Sequence, residues 1–179
     1  LRRFIVWAGI LTASTVSNPA QDLPQSEYRN DPRLARLTEF FEDYGPLARP
    51  FAPDFLAASD RYELDWRLLP SLCVVESGGG RTAAKNNLFG WDSGRRGFAT
   101  LQEGIYLVAS RLTHSKIYKN KELDALLTTY NSRPGYVARV KSVMRLIDST
   151  EPLKARIAAR QAVNPPTGLP YTARLVPAP

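Results

Sequence analysis

Leu64-Asp65-Trp66-Arg67-Leu68-Leu69-Pro70-Ser71-Leu72-Cys73-Val74-Val75-Glu76-Ser77-Gly78-Gly79-Gly80 is the stretch on which the reading of this chain turns. Asp65 is a helix-capping residue type. From Trp66 to Val75 the residues are apolar nearly all round: Trp66, Leu68, Leu69, Leu72, Cys73, Val74 and Val75. A helix apolar on every face belongs in the middle of a domain, with other helices packed around it. The spacing predicts that helix over 66–77, with Pro70 past its first turn, where it should remove a hydrogen bond or bend the start. Three glycines end it.

The flanking sequence is helical in period as well. Upstream, Asp31-Pro32 combines a cap residue with proline at the first helical position. Leu34, Leu37, Phe41 and Tyr44 then fall on one face before Gly45-Pro46. Pro50 and Pro53 punctuate the way to a short helix around 54–62. Downstream, Thr100-Leu101-Gln102-Glu103 is a capping box. The helix it opens carries Leu101, Ile105, Val108, Ala109 and Leu112. A helix over 121–130 presents Leu123, Leu126, Leu127 and Tyr130, and one over about 135–148 presents Val137, Val140, Met144 and Ile147. The chain therefore reads as all-α, with about six helices and a small loop or hairpin lobe at 80–99, inside one domain spanning 31–150.

Composition narrows the function classes. The chain has 179 residues, enough for one sizeable core. One cysteine excludes an intramolecular disulfide, and no Cys/His cluster suggests a metal site. One histidine makes a Ser-His-Asp apparatus improbable. Nothing calls for a metal or a cofactor. Arg2-Arg3, the apolar run Phe4 to Leu11, and the small and polar residues Thr12 to Ser17 have the order of a secretory signal. The run is shorter than the about 20 apolar residues of a membrane span. Residues 1–17 are thus expected to be a signal peptide and the protein to be exported to the periplasm, cell envelope or extracellular space. Without Arg2 and Arg3 the net charge falls from +7 to +5, and a basic exported protein suits an anionic envelope. Residues 18–30 read as a flexible lead. Residues 151–179 hold six of the fourteen prolines and read as a basic tail, with a short helix over Lys154 to Val163. That tail would contact anionic wall polymer or an envelope protein. The Lys/Arg residues form no stripe with interleaved aromatics, so no nucleic-acid partner is expected.

The chemistry-bearing residues cluster around the central helix. Glu76 ends it, on the side of Leu69, Leu72 and Cys73. Apolar surroundings and the negative end of a helix dipole should both raise its pKa, as a general acid requires. The triglycine beside it would let a long polymer approach the backbone. A solvated helix-end carboxylate with a glycine cap is the plainer alternative. Asn86-Asn87-Leu88-Phe89-Gly90-Trp91 supplies amides to exchange hydrogen bonds with hydroxyl and acetamido groups, and rings to stack on sugar faces; it also reads as a structural loop. Tyr130 is either a core tyrosine or a hydroxyl reaching into a cleft, and Asn131 stops its helix in both cases. Glycoside hydrolysis commonly uses two carboxylates. The candidates for the second are Asp92, with Arg95 and Arg96 close by, and Glu103, already engaged in the capping box. His114 and Cys73 read as structural.

Together these runs resemble the lysozyme-like superfamily, and within it the bacterial endo-β-N-acetylglucosaminidase branch of autolysins and flagellar peptidoglycan hydrolases. The matching residues are Leu64 to Pro70, Val75-Glu76-Ser77-Gly78-Gly79-Gly80, Asn86 to Trp91, Phe98 to Ile105, Tyr130-Asn131 and Tyr136-Val137, covering about 60–148. The resemblance implies an α-helical fold with a sugar cleft between lobes. It places Glu76 on the family's catalytic acid and Tyr130 on its cleft tyrosine. Ser77, Asn86, Asn87, Phe89, Gly90, Trp91, Asp92 and Asn131 become substrate-binding candidates. The implied substrate is the N-acetylglucosamine/N-acetylmuramic acid strand of peptidoglycan. One departure matters: the branch usually carries a longer β-lobe with a second acid, and here only about twenty residues separate Gly80 from Thr100. Three routes remain after Glu76 protonates the leaving oxygen. The substrate's acetamido group acts as nucleophile, Glu76 alone yields an anhydro sugar as in lytic transglycosylases, or Asp92 orients a water. A catalytically inactive glycan-binding module is the alternative from a different class, as is a basic helical protein that binds nucleic acid or an envelope partner.

Overall fold

The computed structural model describes residues 27–149. The readings of 1–17 as a signal peptide and 151–179 as a tail lie outside those residues, as do residues 18–26 of the lead; within the lead Tyr28 is not flexible but buried against the core, its hydroxyl donating to Asp60 at 2.9 Å. Six helices follow in order: α1 (Pro32–Tyr44), α2 (Ala52–Arg61), α3 (Leu68–Ser77), α4 (Leu101–His114), α5 (Leu123–Tyr130) and α6 (Tyr136–Ser149). Single 3-10 turns stand at Arg49–Phe51 and Trp91–Gly94. The fold is all-α; among the described residues there is no strand, so the 80–99 lobe is a loop and not a hairpin.

Local chemistry accounts for the helix starts. The Asp31 carboxylate accepts the Arg33 N–H at 2.8 Å, and Pro32 follows at the first position. The buried stripe of α1 is Leu37, Phe40 and Phe41, at helical spacing. Tyr44, expected on that face, is instead exposed and stacks on Phe40 at 5.2 Å. Pro50 lies in the 3-10 turn and Pro53 in the first turn of α2, so neither removes a helical hydrogen bond. Thr100 accepts the Glu103 N–H at 3.0 Å to open α4. The Glu103 carboxylate returns to the Ala99 N–H at 2.6 Å, one residue before the cap.

The central helix begins two residues later than its sequence suggested. The Asp65 carboxylate accepts the Arg67 N–H at 3.0 Å and its carbonyl accepts that of Leu68 at 2.9 Å, which makes a turn of 65–68. Pro70 consequently falls in the first turn of α3, where an N–H has no helical partner in any case. The expected bend has no cause. Leu69, Leu72 and Cys73 are fully buried, and each buried leucine contributes about 2 kcal/mol.

α3 packs most extensively on α6. The two run antiparallel and are tied at both ends. Arg67, before α3, pairs with Asp148 near the end of α6. Glu76, near the end of α3, meets Tyr136 at the start of α6. Tyr136, Val140, Met144 and Ile147 form the buried face of α6.

The triglycine has a packing role. Gly78 adopts φ +62° and its N–H caps the Val74 carbonyl at 2.9 Å. A Cβ on Gly79 would lie 2.1 Å from the Gly45 Cα and 2.7 Å from the Tyr44 carbonyl oxygen. Gly80 faces Leu47 and Leu88. These glycines let the end of α3 cross the end of α1, backbone on backbone; they do not form the open track for a polymer that the sequence suggested. Gly79→Ala should therefore cost about 3 kcal/mol, combining overpacking with a left-handed alanine. Chemical denaturation measures this, and a loss below about 1 kcal/mol would contradict the crossing.

Candidate active site

A cleft of about 930 Å³ opens where α3, the 80–99 loop, the α4–α5 connection and the end of α5 meet. Its lining includes Glu76, Gly90, Trp91, Asp92, Tyr118, Tyr130 and Asn131. Glu76 is half-buried at its edge. One carboxylate oxygen, Oε1, accepts the Tyr136 hydroxyl at 2.6 Å. The other, Oε2, lies 2.9 Å from the position that a Cβ on Gly90 would take. Gly90 has φ +58°, which favours glycine, and a Cβ there would push the end of the Glu76 side chain aside. The carboxylate is thus held by a donor from α6 on one side and given room by a glycine on the other.

Tyrosines form the wall behind it. The rings of Tyr130 and Tyr136 stack 7° from parallel at 6.2 Å, and Trp91, Tyr118 and Tyr130 lie 5.9–6.3 Å apart, centroid to centroid. Burial, then the hydrogen bond and charge of Glu76, push the Tyr136 hydroxyl far above the ordinary tyrosine range. Burial is also the main cause for Tyr130, followed by the charges of Tyr136 and Glu76. Both hydroxyls therefore remain protonated donors at neutral pH.

The two tyrosines have different partners. Tyr130, the candidate cleft tyrosine, lines the cleft but donates its hydroxyl to the Phe89 carbonyl at 2.6 Å. Tyr136, which is among the residues that carry the resemblance but was given no role there, is the one that holds Glu76. The signal was the second tyrosine six residues after Tyr130, just beyond a turn containing Pro134-Gly135. Tyr118 was also missed; Ile117-Tyr118 is an apolar pair in a lysine-rich connection, which is a usable signal for a residue folded back onto the body.

The substrate-binding candidates divide into two groups. Gly90, Trp91, Asp92 and Asn131 line the cleft with Glu76. Ser77, Asn86, Asn87 and Phe89 do not. The buried Ser77 hydroxyl donates to the Leu88 carbonyl at 2.7 Å and accepts the Gly80 N–H at 3.0 Å. Asn87 is buried; its amide donates to the Trp91 and Arg96 carbonyls while its oxygen accepts from the Phe89 and Trp91 N–H groups. Asn86 donates to the Phe98 and Ala99 carbonyls. Phe89 is fully buried in the core. A strandless loop must satisfy its backbone groups with side chains, and these amides do so. These hydrogen bonds within the loop account for the amides, and none of the four residues lines the cleft.

Asp92 sits on the rim with φ +53°, followed by Ser93 at φ +54°. Left-handed residues other than glycine cost about 1 kcal/mol each and gather at functional rims. The Asp92 carboxylate pairs with the exposed Arg95 at 2.7 Å. Glu103 is occupied at the start of α4, outside this lining. Among the described residues no group of His, Cys, Asp and Glu is arranged to hold a metal ion, and no helix is long and apolar enough to cross a membrane.

No family model, curated protein or solved structure matches the chain.

The assignment of Tyr136 as the partner of Glu76 has an energetic signature. In a double-mutant cycle, Tyr136→Phe and Glu76→Ala should couple by at least about 0.5 kcal/mol in unfolding free energy, as residues in contact do. Tyr130→Phe should couple to Glu76→Ala more weakly, because its hydroxyl serves Phe89. Equal couplings would refute the division of roles.

Proposed function

We propose that this protein cleaves β-1,4 glycosidic bonds of peptidoglycan in the manner of an endo-β-N-acetylglucosaminidase, with Glu76 as the general acid. The observation that carries the reading is the Glu76 carboxylate at the edge of an aromatic-walled cleft, with one oxygen engaged by Tyr136 and the other lying beside Gly90. Tyr136 donates to Oε1, which leaves Oε2 to carry the proton toward a glycosidic oxygen. A hydroxyl that gives up no proton near neutral pH fixes the carboxyl without competing for that role. Trp91 offers a half-exposed ring for pyranose stacking, backed by the buried Tyr118, and Asn131 offers an amide to the sugar hydroxyls. Tyr136 is a positioning residue in this scheme, because it acts through Glu76.

A second reading keeps the same acid and changes the product. Among the described cleft-lining residues the only other carboxylate is Asp92, and that one is paired with Arg95. A single free carboxylate favours lytic transglycosylase chemistry. Glu76 donates its proton to the leaving oxygen, then takes the proton of the C6 hydroxyl as that oxygen closes on the anomeric carbon. No water is consumed and a 1,6-anhydro end results.

Incubating the whole chain with purified peptidoglycan and analysing soluble fragments by mass spectrometry tests both. Reducing N-acetylglucosamine ends support the hydrolase, and anhydro-muramic ends the transglycosylase. Glu76→Gln should lower turnover about 10²- to 10⁴-fold, the usual contribution of a general acid. Wild-type turnover by that variant would sink the assignment. Retention on the sacculus with no fragments from either protein would mean a glycan-binding module. Gly90→Ala, whose Cβ would displace Oε2, should lower turnover about 100-fold while the protein still folds. Unchanged turnover there would show that the location of Oε2 is unimportant.

A further inference from the structure

A second groove, of about 590 Å³, adjoins the cleft and shares Asn131, Ser132 and Arg133 with it. It runs between α5 and α6. Its charge differs from that of the cleft. The cleft is lined by Glu76 and Asp92 against Arg96 and, on the ridge it shares with the groove, Arg133. The groove is lined by Arg133, Lys141 and Arg145 against Asp124 alone. Lys141 and Asp124 pair at 2.9 Å, which leaves the two guanidiniums. Among the described residues no ion pair holds Arg133 or Arg145. Both are exposed. Val137, Lys141 and Arg145 are spaced four apart on α6 and so form one stripe along the groove. Tyr136 stands at the head of that stripe and reaches Glu76.

We infer that this groove is an anion subsite, in which Arg133 and Arg145 bind carboxylates of the branches that project from a glycan strand lying in the cleft. The inference rests on the proposed glycan cleavage and specifies its substrate: a strand carrying acidic peptide branches, in preference to a bare one. A guanidinium presents a planar fork that matches a carboxylate, and two unpaired ones, Arg133 on the shared ridge and Arg145 farther along α6, would hold a branch beside the sugar backbone. A neutral homopolymer would leave both without a counter-charge.

The test compares kcat/KM on peptidoglycan strands with intact peptide branches and on the same strands after an amidase has removed the peptides. The wild-type protein should prefer intact strands about fivefold at low salt, the scale of an exposed ion pair, and lose the preference as salt rises. In Arg133→Ala/Arg145→Ala the ratio of the two rates should fall toward one, chiefly through KM. Circular dichroism and thermal unfolding verify that the variant is folded, and Arg145→Lys, which keeps the charge, should retain part of the preference. Equal rates on the two substrates, or a ratio unchanged in the double variant, overturn the subsite and leave the cleavage reading standing. A preference that survives high salt also overturns it. Absence of cleavage on either substrate overturns both readings together.

Discussion

A carboxylate at the end of an otherwise apolar helix must be given a hydrogen-bond donor, and the fold of this protein is arranged around that need. Glu76 reaches the surface only at the last turn of α3, whose earlier residues are buried on every side. The donor comes from sixty residues away, at the first residue of α6. For the two to meet, α6 must lie antiparallel along α3 and in one register. Arg67 and Asp148 hold the far end of the same helix pair, and the buried face of α6 fills the space between. Losing the Tyr136 hydroxyl would leave a partly desolvated carboxylate oxygen unpaired, which is costlier than losing a surface contact.

The short loop between α3 and α4 shows how polar side chains can stand in for a sheet. With no strand among its described residues, it relies on Ser77, Asn86 and Asn87 to satisfy carbonyls and N–H groups that a ladder would otherwise pair. Phe89 anchors it in the core, and Tyr130 clamps the same residue's carbonyl. This scaffold carries Gly90 to the Glu76 carboxylate and sets Trp91 and Asp92 on the rim. Amides well suited to sugars are thereby consumed in shaping the cleft, while backbone conformation and ring faces are left to meet a ligand.

Charge is distributed in the same spirit. The cleft lining holds Glu76 and Asp92 with Arg96, and two guanidiniums without an ion pair among the described residues stand on the ridge shared with the neighbouring groove, at Arg133, and beyond it, at Arg145. In the proposed reaction this leaves guanidiniums within reach of a branched substrate lying in the cleft.

Much of the architecture is legible in the sequence. The helix count, the buried central helix, the Asp31 and Thr100 caps and the closing role of Gly78 all follow from local rules, because caps, periodicity and left-handed glycines act within a few residues. Glu76, Gly90, Trp91, Asp92, Tyr130 and Asn131 could be gathered as cleft candidates for the same reason: each sits at a helix end or in the single long loop. The tertiary structure decided the rest. Only the crossing of α1 and α3 explains Gly79, because the atom it avoids belongs to Gly45. Only the packing of α6 on α3 gives Glu76 to Tyr136 and leaves Tyr130 to Phe89. Both tyrosines follow the same local pattern, and a hydroxyl's partner depends on which distant backbone or carboxylate lies within 3 Å of it, a relation that no spacing along the chain encodes.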